Sequence, residues 1–343
     1  MSFPPPNTPQ AGPPAFQRRL LSLSTLASFL VAGLFLYFLL ARFDIDLKDT
    51  WSQVRGSNPW YYLLALLVYY ASFPVRGWRW RIIAANARLV NTGGSLPSAM
   101  HCARFILLGW FVNTISPLRL GEAYRVYAFA QEAKASFPRV LGTVVAERLV
   151  DLVVVTVLLL LAAGVVGATQ GLVPSPLLLA VAFAAVGGSV ALLLAMRLLG
   201  LPLARFLPRR LREAYQRLYE GTMSSFRRLP LVVVLSVVAW LLEAGRLFFV
   251  LLALGQSLHP SLVLFVALAS ALLTAVPLTP GGLGIVELGA TGLLMLELPR
   301  SVAVAVTLVD RSISYLSVVA IGGLLFLWQQ LRGARGRRDP MER

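Results

Sequence analysis

The chain has 343 residues, 57% of them hydrophobic and 13% charged, and its mean hydropathy of +0.74 comes from apolar runs longer than a soluble globule of this size can hide. These values specify an all-α polytopic integral membrane protein. The formal charge of +16 does not point to nucleic acid, because the arginines flank apolar segments without a recognition motif and positive-inside anchoring accounts for most of them. A single cysteine, Cys102, excludes an intramolecular disulfide framework and offers no metal-site spacing.

In chain order, residues 1–17 are Pro-rich, lack apolar periodicity and read as a disordered tail. Leu20 to Ala41 is too long for a signal-peptide core and has no small-residue cleavage site after it, so it is expected as a retained span. Further spans are expected at about 60–75, 140–166, 173–196, 230–254 and 301–330, about six in all. Two stretches differ, 98–137 and 261–298. The first is broken at Pro117 and Gly121, the second at Pro277, Pro280, Gly281, Gly282 and Gly284. Arms of 15 to 17 residues reach only about 23 to 26 Å, short of a hydrocarbon core of about 30 Å. Each is therefore expected to enter and return as a helical hairpin.

The two stretches belong to a repeat. Pro117, Leu120, Gly121, Glu147 and Arg148 recur 163 positions later as Pro280, Leu283, Gly284, Asp310 and Arg311. Pro97 and Ser98 recur at the same shift as Pro260 and Ser261. The alternative, a chance alignment of two apolar segments, explains matched Leu more easily than matched Pro, Gly and Arg. The units run over about 60–166 and 230–330, joined by a basic connector at 197–228 and followed by a basic tail at 333–343. The positive-inside rule puts the connector and the C-terminus in the cytoplasm, and puts 167–175 and 255–260, which lack Lys and Arg, outside. If both hairpins return to their side of entry, both termini are cytoplasmic and the two units are inverted, the arrangement that underlies alternating access. Within the connector, 201–226 alternates apolar and basic residues, as a helix lying in the interface or a plain charged connector would.

Charges fall inside these apolar segments: Glu122 with Arg125, Glu147 with Arg148 and Asp151, Glu243 with Arg246, and Asp310 with Arg311. Each costs about 2.5 to 3.5 kcal/mol near the centre of a spanning helix, so none is expected to face lipid. Two readings stand. The pairs lock helices together, or they line a hydrated cavity in which guanidinium groups grip phosphate and carboxylates orient them or meet a cationic group. For Glu243 and Arg246, whose segment has no break beside them, the locking reading is preferred. A half-helix starting after Gly284 is expected to aim its amides at an anion, with a kink made for packing as the alternative. His101 and His259 are expected to be solvated or packed rather than ligands. Arg76, Trp78, Arg79, Trp80 and Arg81 read first as a cytoplasmic aromatic and basic anchor and second as a contact for lipid heads.

Taken together, several motifs resemble the transmembrane flippase domain of the lysylphosphatidylglycerol synthase family over about 16–332. They are Arg76 with Trp78-Arg79-Trp80, Pro117 with Gly121, Glu122 and Arg125, Glu147-Arg148 with Asp151, Pro277 with Pro280 to Gly284 and Glu287, and Asp310-Arg311. The resemblance implies a domain that translocates an aminoacylated phospholipid made by a soluble acyltransferase-like domain. That second domain is not expected here, so a separately encoded lipid-modifying enzyme is the implied partner. The expected function is a flippase of the cytoplasmic membrane acting on a phospholipid, an aminoacyl-phospholipid or a polyprenyl-phosphate lipid. Arg125, Arg148 and Arg311 are expected to bind the head-group phosphate, and Glu122, Glu147, Asp151, Glu287 and Asp310 to orient them or contact a cationic head. No phosphate-loop motif is present and no cofactor or metal is expected. The competing readings are an integral-membrane enzyme acting on a lipid phosphate and a non-transporting partner of a glycosyltransferase or synthase.

The topology is directly measurable. With Cys102 replaced, cysteines introduced at Gly171, Ala214, Ser257 and the C-terminus are expected to label from outside, inside, outside and inside respectively. Any other pattern removes the inverted arrangement.

Overall fold

The computed structural model describes residues 47–90, 95–116, 119–170, 176–206, 208–275 and 279–336. The tail at 1–17, the span at 20–41, Pro117, Pro277 and the end of the basic tail lie outside the described residues. Among the described residues every regular element is helical, and the protein is an all-α membrane protein. Three stretches, Phe137–Thr169, Arg209–Ala253 and Arg300–Gln329, are long and apolar enough to cross a bilayer.

A short helix, α1 (Leu47–Arg55), precedes the first unit. That unit consists of α2 (Pro59–Asn86), the hairpin α3 (Ala99–Ile115) and α4 (Leu120–Glu132), and α5 (Phe137–Gln170). After α6 (Pro176–Ala204) and α7 (Arg209–Ser224) comes the second: α8 (Leu229–Ala253), the hairpin α9 (Pro260–Ala275) and α10 (Ile285–Leu294), and α11 (Arg300–Arg311). A π turn (Ser312–Ser317) then leads into α12 (Val318–Gly336). The starts of α5 and α11 lie at the sequence shift of the repeat, Phe137 against Arg300. Local chemistry sets several helix starts. Asn58 accepts the Trp60 amide at 2.9 Å ahead of Pro59, and Ser98 accepts the His101 amide at 3.2 Å.

Helices α2 and α8 form the central pair, and they are antiparallel. The Asn58 amide donates to the Ala253 carbonyl at 2.7 Å. Gly245 packs on Val68, Arg79 Nη1 donates to Ser236 Oγ at 2.7 Å, and Asn86 Nδ2 donates to the Ser225 carbonyl at 3.0 Å. As one chain index rises the other falls along the whole contact. An axis relating corresponding helices that run in opposite directions must lie across them, so the two units are inverted. The cross-packing is reciprocal. α5 of the first unit lies on α9 of the second, and α12 of the second lies on α3 of the first.

Helix α2 corrects the sequence reading at 76–81. It runs on past 75 to Asn86 without interruption, and Arg76, Arg79 and Trp80 face inward, Trp80 fully buried, while Trp78 and Arg81 face outward. The stretch is not a simple interfacial anchor, because carboxylates on α5 and α8 compensate the two inward arginines. The amphipathic connector is also shorter than expected, since α6 continues to Ala204. Its helix α7 crosses α5 backbone to backbone, with Gly221 on the Arg139 carbonyl and Gly142 on the Leu218 carbonyl.

Backbone contact also closes the first hairpin. Gly121 lies in the first turn of α4, and a Cβ there overlaps the Gly109 carbonyl of α3 and meets Asn113 Oδ1 at 2.7 Å. Gly121→Ala is therefore expected to destabilise by about 1 to 3 kcal/mol, since the opposing atom is backbone and cannot swing away. Gly164→Ala, facing open space, is expected to be neutral or stabilising by up to about 1 kcal/mol. Thermal unfolding of the detergent-purified variants distinguishes the two.

Candidate functional site

A cavity of about 350 Å³ opens between the hairpins, with walls from α2, α3, α5, α8, α9 and the stretch from Asp310 to Val318. Its volume falls at the lower end of the about 300 to 1,000 Å³ typical of small-ligand sites. Five arginines line it, Arg76, Arg119, Arg148, Arg246 and Arg311, together with Asp151, Glu243 and Asp310. Tyr69, Trp110, Trp240 and Tyr315 line it as well, as do Asn113, Ser270, Thr279 and Ser314.

The two arginines that correspond in the repeat, Arg148 and Arg311, share this one cavity. Arg148, on α5, donates from Nη2 to Glu147 Oε1 at 2.9 Å, while Asp151 and Glu122 lie 3.8 Å from it. Its side chain is 38% exposed, against 11% for Arg311. Arg311 is held at three points. Its Nε donates to Glu287 Oε1 at 2.7 Å, its Nη2 to the Gly281 carbonyl at 2.9 Å, and its guanidinium stacks on Tyr315 at 5.0 Å. Tyr315 in turn donates to the Thr114 carbonyl at 3.0 Å, tying α3 to the π turn.

Breaks in the hairpins supply the geometry that places these groups. Gly281, Gly282 and Gly284 have φ of 58°, 72° and 83°, left-handed conformations that glycine adopts freely. Arg119 reaches the same region without being glycine, φ 53°, immediately before α4, and its side chain lines the cavity. Such non-glycine residues are uncommon and gather at functional sites. The Gly284 amide, just ahead of α10, is not free to meet a ligand. Glu287 Oε2 accepts the Gly284 N–H at 2.6 Å, so the protein itself provides the anion there. In the first hairpin Asn113 Oδ1 accepts the Gly121 N–H at 2.8 Å in the same way.

Of the expected site residues, the structure brings Arg148, Asp151, Asp310 and Arg311 to the wall and leaves Glu122, Arg125, Glu147 and Glu287 off it. Arg125 is 2% exposed: its Nε donates to Glu122 at 2.7 Å, its Nη1 lies 3.3 Å from both Glu147 oxygens, and its guanidinium covers Trp80 at 5.0 Å. It supports the site rather than contacting the space. Glu243 and Arg246 pair along α8 at 3.3 Å, as spacing of three suggests, and both also face the cavity, where Arg246 Nε lies 3.0 Å from Asp310 Oδ1.

Two members of the network belong to the Arg76 to Trp80 motif, which the sequence reading assigns to an anchor rather than to the site. Arg76 lies between Trp110 and Trp240, 5.1 and 4.9 Å from their ring centres, and donates to Glu243 at 3.2 Å. Arg79 donates to Ser236, to Glu147 at 2.9 Å and to both oxygens of Asp151, while Trp240 Nε1 donates to Asp151 at 3.3 Å. An arginine spaced 3 or 4 from apolar neighbours on a long helix is the available clue. The imidazoles of His101 and His259 meet Glu132 and Ser261, at exposed positions.

Comparison with known proteins agrees with this architecture. The family model described as the lysylphosphatidylglycerol synthase TM region matches residues 25–322. A UPF0104 membrane protein of Methanocaldococcus jannaschii is 32% identical over 222 residues, covering 63% of this chain and 93% of that protein. Another, from Pyrococcus horikoshii, is 26% identical over 77% of this chain and 86% of its own length. The glycosyltransferase AglD of Haloferax volcanii is 26% identical over 86% of this chain, a match that covers 53% of that protein. With nearly the whole membrane region matched, the chain belongs to the family of the lysylphosphatidylglycerol synthase transmembrane region.

Proposed function

We propose that this protein is a lipid translocase that carries a phosphate-bearing head group across the cytoplasmic membrane, with both of its termini on the cytoplasmic side. The observation that carries the reading is the convergence of Arg148 and Arg311, from corresponding positions of two inverted units, on one cavity. Guanidinium is suited to phosphate because it stays charged and presents paired donors. A polar cavity at bilayer depth lets the head group cross while the acyl or prenyl chains stay in lipid. Inverted halves offer a physical route to alternating access, because exchanging their conformations turns an inward-facing site outward.

Within this reading the residues divide by task. Arg148 and Arg311 contact the phosphate, with Arg246 and Arg76 deeper in the wall. Glu147 and Glu287 are positioning residues that hold the two arginines, and Asp151 and Asp310 balance charge between them. A second reading has one specific support. The similar glycosyltransferase extends well beyond the matched region, which suits a membrane partner that holds or feeds a glycosyltransferase acting on a lipid-linked substrate.

Reconstitution separates them. The purified chain in liposomes is expected to accelerate exposure of a labelled phospholipid head group. Arg148→Gln is expected to slow it at least about tenfold, equivalent to about 1.4 kcal/mol, with a much smaller loss of thermal stability than Arg79→Gln, since the side chain is 38% exposed and Arg79 and Arg125 still pair with Glu147. Arg79→Gln, which leaves Glu147 and Asp151 buried without their main partner, is expected instead to cost about 3 to 5 kcal/mol of stability. Absence of any acceleration, with Arg148→Gln and Arg311→Gln tolerated in cells, would favour the partner reading.

A further inference from the structure

The wall of the cavity is more basic than the cluster as a whole. Five arginines and three carboxylates face the space. Adding the residues behind the wall gives seven guanidiniums against six carboxylates among the described residues of this network. Each wall carboxylate lies within ion-pair distance of a guanidinium, Asp151 of Arg79, Glu243 of Arg76 and Arg246, and Asp310 of Arg246, although Asp310 Oδ1 accepts no hydrogen bond among the described residues. A cationic group entering the cavity finds no carboxylate without a guanidinium beside it, and it meets an excess of like charge.

An independent observation concerns hydrogen bonds. Arg76 and Arg246 are 2% and 5% exposed and line the cavity. Nevertheless Nε of Arg76, and both Nε and Nη1 of Arg246, have no hydrogen-bond acceptor among the described residues. Arg246 lies within ion-pair distance of Asp310 and Glu243, but its N–H groups are not aligned on their oxygens. Leaving a buried donor unmet costs about 1 to 3 kcal/mol, more when it is charged. Water can accept such bonds but cannot offset the surplus charge. An anionic oxygen does both.

Resting on the translocase reading, we infer that the head group taken by this cavity carries net negative charge, a phosphate with no ammonium group on the same ligand to compensate it. A singly charged phosphodiester without an ammonium group matches the one guanidinium by which the network exceeds its carboxylates, since Glu122, Glu147 and Glu287 behind the wall contact Arg119, Arg148 and Arg311. A phosphodiester bearing a lysyl group is net positive and meets the surplus as repulsion. The cavity thus discriminates against aminoacylated head groups.

The test uses the full chain in a neutral maltoside detergent, with tryptophan emission as readout because Trp110 and Trp240 flank Arg76. Short-chain phosphatidic acid, phosphatidylglycerol, phosphatidylcholine, lysyl-phosphatidylglycerol and inorganic phosphate are titrated separately. Phosphatidic acid and phosphatidylglycerol are expected to bind at least about tenfold more tightly than the zwitterionic and lysyl lipids. Arg246→Gln and the half-open Arg148→Gln are both expected to reduce that ratio; the second guards against loss through misfolding. Lysyl-phosphatidylglycerol binding as tightly as phosphatidic acid, or no binding by any anion, overturns the inference. Equal binding of inorganic phosphate and phosphatidic acid supports the anion site but assigns it a soluble source, which sinks the lipid assignment. Preferential binding of anionic lipid with no transport in liposomes supports this inference and sinks the translocase reading alone.

Discussion

Charge at bilayer depth must be compensated by other protein groups, and that requirement organises the molecule. Moving an ion out of water carries a desolvation cost of several kcal/mol even after relaxation, so a guanidinium on one helix is tolerable only where another helix brings a carboxylate. The pairs run from one hairpin to the other. Arg125 joins α4 to α5 through Glu147, and Arg79 joins α2 to α5 through Glu147 and Asp151. Arg76 joins α2 to α8 through Glu243, Arg246 joins α8 to α11 through Asp310, and Arg311 joins α11 to α10 through Glu287. Apolar packing between helices in lipid has little directional preference, because lipid tails are as apolar as the side chains. The ion pairs fix register where packing alone does not.

This network also explains which parts of the site are legible in the sequence. Arg148 and Arg311 stand out because both units retain them at one shift, and so do Glu147 and Asp310. Arg246 has no charged counterpart, since Ile83 occupies its position in the first unit, and a search for repeated polar residues passes over it. Arg76 and Arg79 escape for a different reason. A hydropathy window stops at charge and so ends the helix near 75, although the compensating Glu147, Asp151 and Glu243 come from positions 68 to 167 residues away. Pairing over such separations has no sequence period. The hairpins, by contrast, are readable because Pro, Gly and arm length are local properties.

The same logic separates contact from support. Carboxylates on the first turns after the breaks, Glu122 and Glu287, look from sequence like ligand-facing groups. In the fold each is turned onto an arginine, and Glu287 also caps the start of α10. One carboxylate thereby fixes the backbone at the break and the direction of Arg311 together. Losing it would disturb the site without removing any atom that faces the cavity, which is the behaviour expected of a positioning residue.

The two units share a frame but differ where they meet the cavity most closely. In the first, Arg148 sits within an unbroken α5; in the second, Arg311 ends α11 and a π turn comes after it. A π turn inserts a residue into the helix, so α12 is rotated by about 100° relative to a regular continuation of α11. Three tyrosines on α2 hold that turn: Tyr62 and Tyr70 to the hydroxyls of Ser312 and Ser317 at 3.0 and 2.8 Å, and Tyr69 to the Ser314 carbonyl at 3.3 Å. These are neutral hydrogen bonds, each contributing about 0.5 to 1.5 kcal/mol net, weaker than the buried ion pairs around them. If the units exchange conformations, the weaker contacts break first. The asymmetry therefore points to the α2 face along the π turn as the place where the second unit yields, while the arginine–carboxylate pairs keep the helices in register.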